Sequence, residues 1–249
     1  MVNKVFGRKL SAHHLEFREL AENAQMGTVS RGQLFGLVKK LGQAGLIKDT
    51  EAKLLSNLLS TTSNESFEKG GVPIVFKGNH CLSKEISRSE SRVSILLSSL
   101  YDKGLIVMRD SGNFKRYAIR SRKHKIITAC GIDLRILVVR YHELKQTVDT
   151  IIADQDRQKD ILHCFQGLVR QIKTSYTKTE VTPLTSLLFS RMQKVIHIIG
   201  RPAKASVEKL YKAMDIFELI LERFLKLKTP KTKYRNFTSE YTKNIIHLI

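Results

Sequence analysis

Tryptophan is absent from this 249-residue sequence, and proline and cysteine are scarce, at four and three residues. So few prolines, with only 14 glycines, argue against a β-sandwich built on many tight turns and favour helices. Cys81, Cys130 and Cys164 lie far apart without C-x-x-C spacing, so the sequence predicts neither a disulfide framework nor a zinc site. No apolar run is long enough to span a membrane, and the polar N-terminus has no signal-peptide pattern. We therefore expect a cytoplasmic protein without a membrane partner.

Catalytic motifs are missing as well. The sequence has no phosphate-binding G-x-x-x-x-G-K-[ST] loop, no G-x-S-x-G nucleophile elbow and no H-E-x-x-H zinc motif. The isolated pair His13-His14 is interpreted as the solvated start of a helix. We therefore expect a protein that is not an enzyme and that has no catalytic residues, no cofactor and no metal.

Positive charge is in large excess. Lysine and arginine number 43 against 23 acidic residues, which gives a formal net charge of +20. A polyanion is the natural partner of such a chain, because each neutralised phosphate releases condensed counterions. RNA or an anionic membrane surface would be attracted by the same field, so charge alone does not choose among polyanions.

The stretch from Asn79 to Arg120 predicts two helices followed by two strands. Arg88-Ser89 forms the turn between the helices, and the second helix runs from about Ser89 to Asp102. Apolar residues at helical spacing mark the buried faces, namely Leu82 and Ile86 in the first helix and Val93, Leu96, Leu97 and Leu100 in the second.

Two short strands follow, in which apolar and polar residues alternate around Val107 and around Tyr117 and Ile119. The segment Ser111-Gly112-Asn113 predicts the tight turn of a hairpin between them. A helix-turn-helix followed by a basic hairpin is the order of a winged helix, a fold whose members mostly bind DNA.

The rest of the chain extends this pattern. Two helices, beginning near Ser30 and Asp49, and an edge strand from Val72 to Phe76 precede the stretch, and the strand is expected to pair with the edge of the wing hairpin. Apolar residues continue at helical spacing from Leu134 to Thr177, in one long helix or in two joined near Asp154. Further helices are predicted at 182–200 and 207–227.

The predicted fold is therefore mainly α, a winged helix-turn-helix with a small β wing followed by a bundle of long helices. The predicted boundaries are an N-terminal arm at 1–29, a winged-helix DNA-binding domain at 30–125, a helical domain at 126–228 and a tail at 229–249. The apolar stripes of the helical half must be buried against one another or against a second copy of the chain. The sequence therefore does not decide between a monomer and a homodimer.

Candidate DNA contacts lie in three places, namely the wing, the exposed start of the second helix, and the preceding helix and turn, whose Lys84 and Arg88 suit contacts to the DNA backbone. The wing offers arginines that can lie along a minor groove and lysines that can contact phosphates. The exposed start of the second helix offers serines and Arg92, whose guanidinium prefers guanine. The alternative is a solvated basic hairpin and serine caps with no role in binding. The candidate residues are Lys84, Arg88, Ser89, Ser91, Arg92, Ser94, Arg109, Asn113, Lys115, Arg116, Tyr117, Arg120, Arg122 and Lys123.

The segment GLIVMRDSGNFKRYAIR, with the GIDLRILVVRYHEL that follows, resembles the RepC family, the replication initiators of repABC-type bacterial plasmids. The resemblance runs from about Ser30 to Leu227. It implies binding to double-stranded DNA at an A/T-rich plasmid origin within the protein's own gene, together with host replication proteins and without known enzymatic activity. By this resemblance Arg109, Lys115, Arg116 and Tyr117 belong to the wing, and Ser91 and Arg92 to the recognition helix.

The sequence departs from the family pattern in the middle of the recognition helix and at the C-terminal end of the sequence. Ser94 and Ile95 stand where basic residues are frequent, and family members continue into another C-terminal domain. The expected function is a plasmid replication initiator. The alternatives are a winged-helix transcriptional regulator and a truncated DNA-binding remnant that does not initiate replication.

We predict that replacing both Lys115 and Arg116 with alanine weakens DNA binding more than Arg92→Ala does. The reason is that shape readout of A/T-rich DNA by the wing is expected to contribute at least as much as direct base contacts. Titrations of both variants against one duplex measure the order. A larger loss for Arg92→Ala would contradict the prediction.

Overall fold

The structure, a computed structural model, describes residues 11–109, 116–120 and 126–228. This part of the chain is mainly helical with a small antiparallel sheet, and the chain divides into two compact units, Met1–Ala153 and Asp154–Ile249. The elements are α1 (Ala12–Glu22), α2 (Arg31–Gln43), α3 (Asp49–Thr61), β1 (Ile74–Val75), α4 (Asn79–Ile86), α5 (Glu90–Asp102), β2 (Val107–Arg109), β3 (Tyr117–Arg120), β4 (Ile126–Asp133), α6 (Arg135–Val139), α7 (Tyr141–Thr177), α8 (Pro183–Ile199) and α9 (Val207–Lys228).

Helix α1 packs against α6 and β2. From the sequence we predicted that residues 1–29 form an N-terminal arm. Phe17 and Ala21 are buried together with Val107 and Ile136. The expectation that His13-His14 is solvated is wrong for His14, which is buried and stacks on Tyr101 with ring centroids 4.0 Å apart. The helix looks polar in sequence because only one narrow stripe of it faces the core.

Helices α2 and α3 form as the sequence predicts. The hydroxyl of Ser30 accepts a hydrogen bond from the backbone N–H of Gln33, whose side chain accepts one from the N–H of Ser30, so α2 begins with a capping box. Apolar residues at helical spacing form the buried faces, namely Leu34, Leu37, Val38 and Leu41 in α2 and Leu54, Leu55, Leu58 and Leu59 in α3, whereas Ala52, also predicted to face inward, is half-buried.

Strand β4 is the centre of the sheet. Its last residues pair antiparallel with both β1 and β2, in the order β1-β4-β2, and its first half pairs with β3. The expectation that β2 and β3 form a hairpin with each other is therefore wrong, and so is the pairing expected of β1. The turn predicted at residues 111–113 lies outside the described residues.

This arrangement is not apparent in the sequence, because the β4 segment IITACGID lacks the alternation of apolar and polar residues that marks a half-buried strand. A Cβ at Gly131 would stand 2.3 Å from the carbonyl oxygen of Val75, so glycine is what lets β1 approach the central strand. The pairing also places residues 126–153, which the sequence assigned to the helical domain, in the first unit with α1–α5.

The second unit is built on the continuation of α7. This helix runs without a break from Tyr141 to Thr177, so of the two arrangements predicted near Asp154, one long helix is correct. Helices α8 and α9 pack against each other, and Phe217 and Phe224 are fully buried. The helical spacing of apolar residues in α8 and α9 predicts that Leu187 and Leu225 face inward, but both are exposed. No helix in the described part of the chain is long and apolar enough to cross a membrane.

Gly104, in the loop after α5, packs closely against the ring of Phe17 in α1. Gly104 has φ +63°, which favours glycine, and a Cβ on it would lie 2.1 Å from Cε2 of Phe17. The guanidinium of Arg140 lies over the Phe17 ring at 4.9 Å and donates hydrogen bonds to the carbonyls of Lys103 and Gly104, each at 2.9 Å. Helix α1 is thereby held against the end of α5.

We predict that Gly104→Ala lowers the free energy of unfolding more than Gly45→Ala does. Gly45 has a similar φ of +75° but open space around the added methyl group. The control should therefore lose only the backbone term of about 1 kcal/mol, whereas Gly104→Ala adds an overpacking cost of roughly 1–3 kcal/mol. Urea unfolding of both variants measures the difference, and equal losses would show that Phe17 moves away without cost.

Candidate nucleic-acid interface

Helices α4 and α5 are joined by the turn Ser87-Arg88-Ser89. Ser87 adopts the left-handed conformation at φ +56° and ends α4, and the hydroxyl of Ser89 accepts a hydrogen bond at 3.2 Å from the N–H of Arg92 to begin α5. The buried side chains Val93 and Leu97 fix the rotation of α5 against the first unit's core. The start of α5 is therefore held in place with one face outward.

That outward face carries most of the candidate residues of the helices. Lys84 and Arg88 are exposed beside it, and the exposed residues in the first half of α5 are Glu90, Ser91, Arg92, Ser94 and Ile95. The carboxylate of Glu90 lies 2.8 Å from Nδ1 of His80 in α4, so its negative charge sits at one end of the face. The structure brings the predicted helix contacts together on one surface.

A buried carboxylate fixes the other end of α5. Glu51, in the first turn of α3, accepts hydrogen bonds from the hydroxyl of Ser99 and the ammonium of Lys103, each at 2.6 Å, and from the N–H of Lys48 at 2.8 Å. Burial alone would raise the pKa of Glu51, but the bonds from Lys103, Ser99 and Lys48 outweigh it and hold the pKa below its ordinary value. Sequence reasoning missed this residue, whose signal is an acid three positions into a helix.

Arg109 faces protein carboxylates in this structure. Its Nε donates to Asp133 at 2.9 Å and its Nη2 to Glu22 at 3.2 Å. Asp133 has no exposed side-chain surface and also receives the backbone N–H of Arg135 at 2.9 Å and its Nη2 at 2.7 Å. Arg109 therefore joins β2 to β4 and α1, a role the sequence did not indicate. The signal for Asp133 is a single acid between apolar residues in GIDLRIL.

The other described candidates of the predicted wing are Arg116, just before β3, and Tyr117, its first residue. The guanidinium of Arg116 donates to the carbonyl of Lys77 at 2.7 Å, which ties β3 to the segment before α4. Tyr117 is 41% exposed and Ile119 is 50% exposed, on the same face of the strand. The neighbouring Cys130 thiol raises the pKa of the Tyr117 hydroxyl. Any loss of DNA binding in Arg116→Ala would thus include a structural contribution.

The remaining wing candidates fall outside what the structure describes. They are Asn113, Lys115, Arg122 and Lys123, together with the side chain of Arg120. Within the described ranges, no cluster of three or more His, Cys, Asp or Glu residues is placed to hold a metal ion.

The surface formed by α4 and α5 lies within the part of the chain that matches a family of known proteins. Residues 8–179 match the family model described as replication protein C N-terminal domain. A curated protein of Rhizobium rhizogenes, named “Putative replication protein C”, is 28% identical over 157 residues, which cover 62% of this chain and 39% of that protein. The chain thus spans about two fifths of the length of this relative. No solved structure matches the chain.

We predict that Glu51→Gln destabilises the fold in a pH-dependent way. Because the pKa of Glu51 is depressed on folding, its stabilisation is fully present above its ordinary value of 4.5 and is lost as the pH falls through the folded-state pKa. At pH 7 the variant should lose on the order of 3 kcal/mol, and the gap to wild type should close in acid. Urea unfolding from about pH 3 to about pH 7 measures the difference in free energy of unfolding between the variant and the wild type.

The matched control for this experiment is Asp149→Asn. Asp149 also pairs with a lysine, Lys40, at 2.7 Å, and this hydrogen bond lowers its pKa, but the pair is exposed. Exposed pairs contribute little to stability. A Glu51→Gln gap that stays constant with pH, or equals that of the control, would contradict the prediction.

Proposed function

The chain belongs to the replication protein C family, and from this premise we propose that it binds double-stranded DNA sequence-specifically at a plasmid origin and thereby initiates replication. The observation that carries the proposal is the outward face of α5, with its buried side fixed by the core and its flanks occupied by Lys84, Arg88 and Arg92. A recognition helix needs these properties, namely a fixed rotation, an exposed start and cations beside it for phosphates.

The order of elements supports a winged helix-turn-helix as the scaffold. Strand β1 precedes α4 and α5, strands β2 to β4 follow them, and the three strands β1, β4 and β2 form one antiparallel sheet. Helix α5 has 13 residues, or roughly 20 Å of length, and a single helix of this kind fits the major groove of B-DNA. In the proposed complex α5 lies in that groove.

The wing is proposed to lie along the adjacent minor groove. In this arrangement Lys115, Arg120, Arg122 and Lys123 would contact phosphates or the groove, with Tyr117 exposed beside them. Arg109 would act as the support at the base of the wing, since Asp133 and Glu22 bind its guanidinium. This assigns the wing's DNA contacts to the residues beyond β2.

Initiation is proposed to follow from deformation of the bound DNA. Binding of a wing and a helix to neighbouring grooves of an A/T-rich origin would distort the duplex locally, and host replication proteins would load there. The helical half is proposed to supply contacts to those proteins or to a second copy of the chain. The origin is proposed to lie within the protein's own gene.

We predict that the purified protein protects one segment of its own coding DNA in a footprint at about 150 mM salt, with an affinity at least about 10³-fold above that for random duplex. Arg92→Ala should lose roughly 1–3 kcal/mol on this site and relax its sequence preference. Lys84→Ala should weaken binding to all duplexes alike and reduce the salt slope by about one.

The control variant is Lys209→Ala, an exposed lysine of α9 in the second unit, which should leave affinity and salt slope unchanged. A steep salt dependence with no preference for any sequence would refute specific recognition. Protection of a palindromic site that is lost when 154–249 is removed would instead favour a dimeric transcriptional regulator.

A further inference from the structure

Ile95 is 57% exposed in the middle of α5. It lies roughly 200° around the helix from Val93, which is buried in the core. The exposed Ser91 lies one turn before it and the half-buried Ser98 one turn after it, on the same side of the helix, and the exposed Asp102 ends the line at the last residue of α5. Between Ser91 and Ser98 the line that projects furthest from the core of the first unit is therefore uncharged, with one branched apolar side chain between two small hydroxyl residues.

This position is unusual for isoleucine. Single exposed apolar residues are common on protein surfaces and need no explanation by themselves. A β-branched residue in a solvated helical turn, however, gives neither good helix propensity nor packing. The cations of the face, Lys84, Arg88 and Arg92, lie in the preceding helix, in the turn and on the flank of α5. A polyanion held by these flanks would meet Ile95 at its centre.

We propose that Ile95 packs against the 5-methyl group of thymine in the major groove, so that α5 selects thymine at the base pair it faces. The inference rests on the proposed function, since it requires α5 to lie in that groove. The thymine methyl group is the apolar feature that a base pair presents there. Ser91 and Ser98 are small enough to let the helix approach and can hydrogen-bond to base edges or phosphates on either side.

A nucleic acid fits this surface better than a protein does. Protein interfaces of ordinary stability have a contiguous apolar centre with the charges at the rim. Here the apolar centre is one side chain between serines. The nearby charges at Lys84, Arg88 and Arg92 are positive, and the carboxylate of Glu90 faces His80. Such a surface matches a groove whose floor carries isolated methyl groups and whose walls are phosphates.

The test uses the full chain and a duplex that the wild-type protein has selected from a random library. Each thymine of that duplex is replaced in turn by deoxyuridine, which removes only the methyl group. At one or two positions the wild type should lose about fourfold in affinity, the value expected for exposing one buried methyl-sized group. Ile95→Ala should bind the unmodified duplex about fourfold more weakly and be insensitive to uridine at those same positions.

Two further variants sharpen the result. Ile95→Val retains a branched apolar side chain and should keep most of the uridine sensitivity. Ile198→Ala removes an isoleucine that is 82% exposed in α8 of the second unit and should behave as wild type. Circular dichroism of each variant checks that the helices form, which is expected because alanine is a better helix former than isoleucine.

The outcomes separate the two proposals. If wild type selects a sequence but uridine has no effect, or if Ile95→Ala retains the full uridine penalty, the assignment to Ile95 is wrong and specific DNA binding stands. If the selection enriches no sequence over the random library, the proposed function itself fails, and the thymine contact fails with it.

Discussion

The carboxylate of Asp133 is buried without side-chain exposure at the end of the central strand, where it meets the guanidinium groups of Arg109 and Arg135. A charge in this position is tolerated only when its partners and hydrogen bonds offset the loss of water, and removing one partner from such a pair typically costs about 3–5 kcal/mol. Because Arg109 lies on β2 and also contacts Glu22 of α1, one carboxylate fixes the sheet, the start of α6 and the N-terminal helix together. The end of β2 is held in the sheet by this contact.

Other carboxylates of the first unit are also paired with basic side chains. Carboxylates of the scaffold are matched to scaffold cations, with Glu51 bound to Lys103, Asp133 to Arg109 and Arg135, and Asp149 to Lys40. The proposed DNA-binding face has a different composition, because its cations lie exposed and the carboxylate at the start of α5, that of Glu90, is paired with His80. Internal pairing of the acids therefore leaves the excess positive charge on the surface, where a polyanion can meet it.

Sequence periodicity predicted the elements whose signal is local. Helix α2 shows this, since the stripe of Leu34 and Leu37 and the cap at Ser30 are visible within one short segment. The pairing of β4 was not visible, because strand neighbours far apart in the chain are chosen by packing and by the close approach that Gly131 permits. For the same reason an acid such as Asp133 could be noticed in the sequence but not connected to Arg109, which lies 24 positions away.

In the candidate site, too, the sequence predicted what depends on residue type, and the structure was needed for what depends on geometry. Sequence reasoning favoured Arg92 as the base reader because arginine is the residue type with the strongest donor pattern. Rotation of α5 about its buried side places Ser91 and Ile95 on the outermost line and Arg92 on its flank. Charge acts over a Debye length of about 8–10 Å and cannot distinguish one base pair from the next, whereas contacts to base edges require touching atoms. If the face binds DNA as proposed, Lys84 and Arg88 supply affinity, and Arg92 and the uncharged centre of the face supply the choice of sequence.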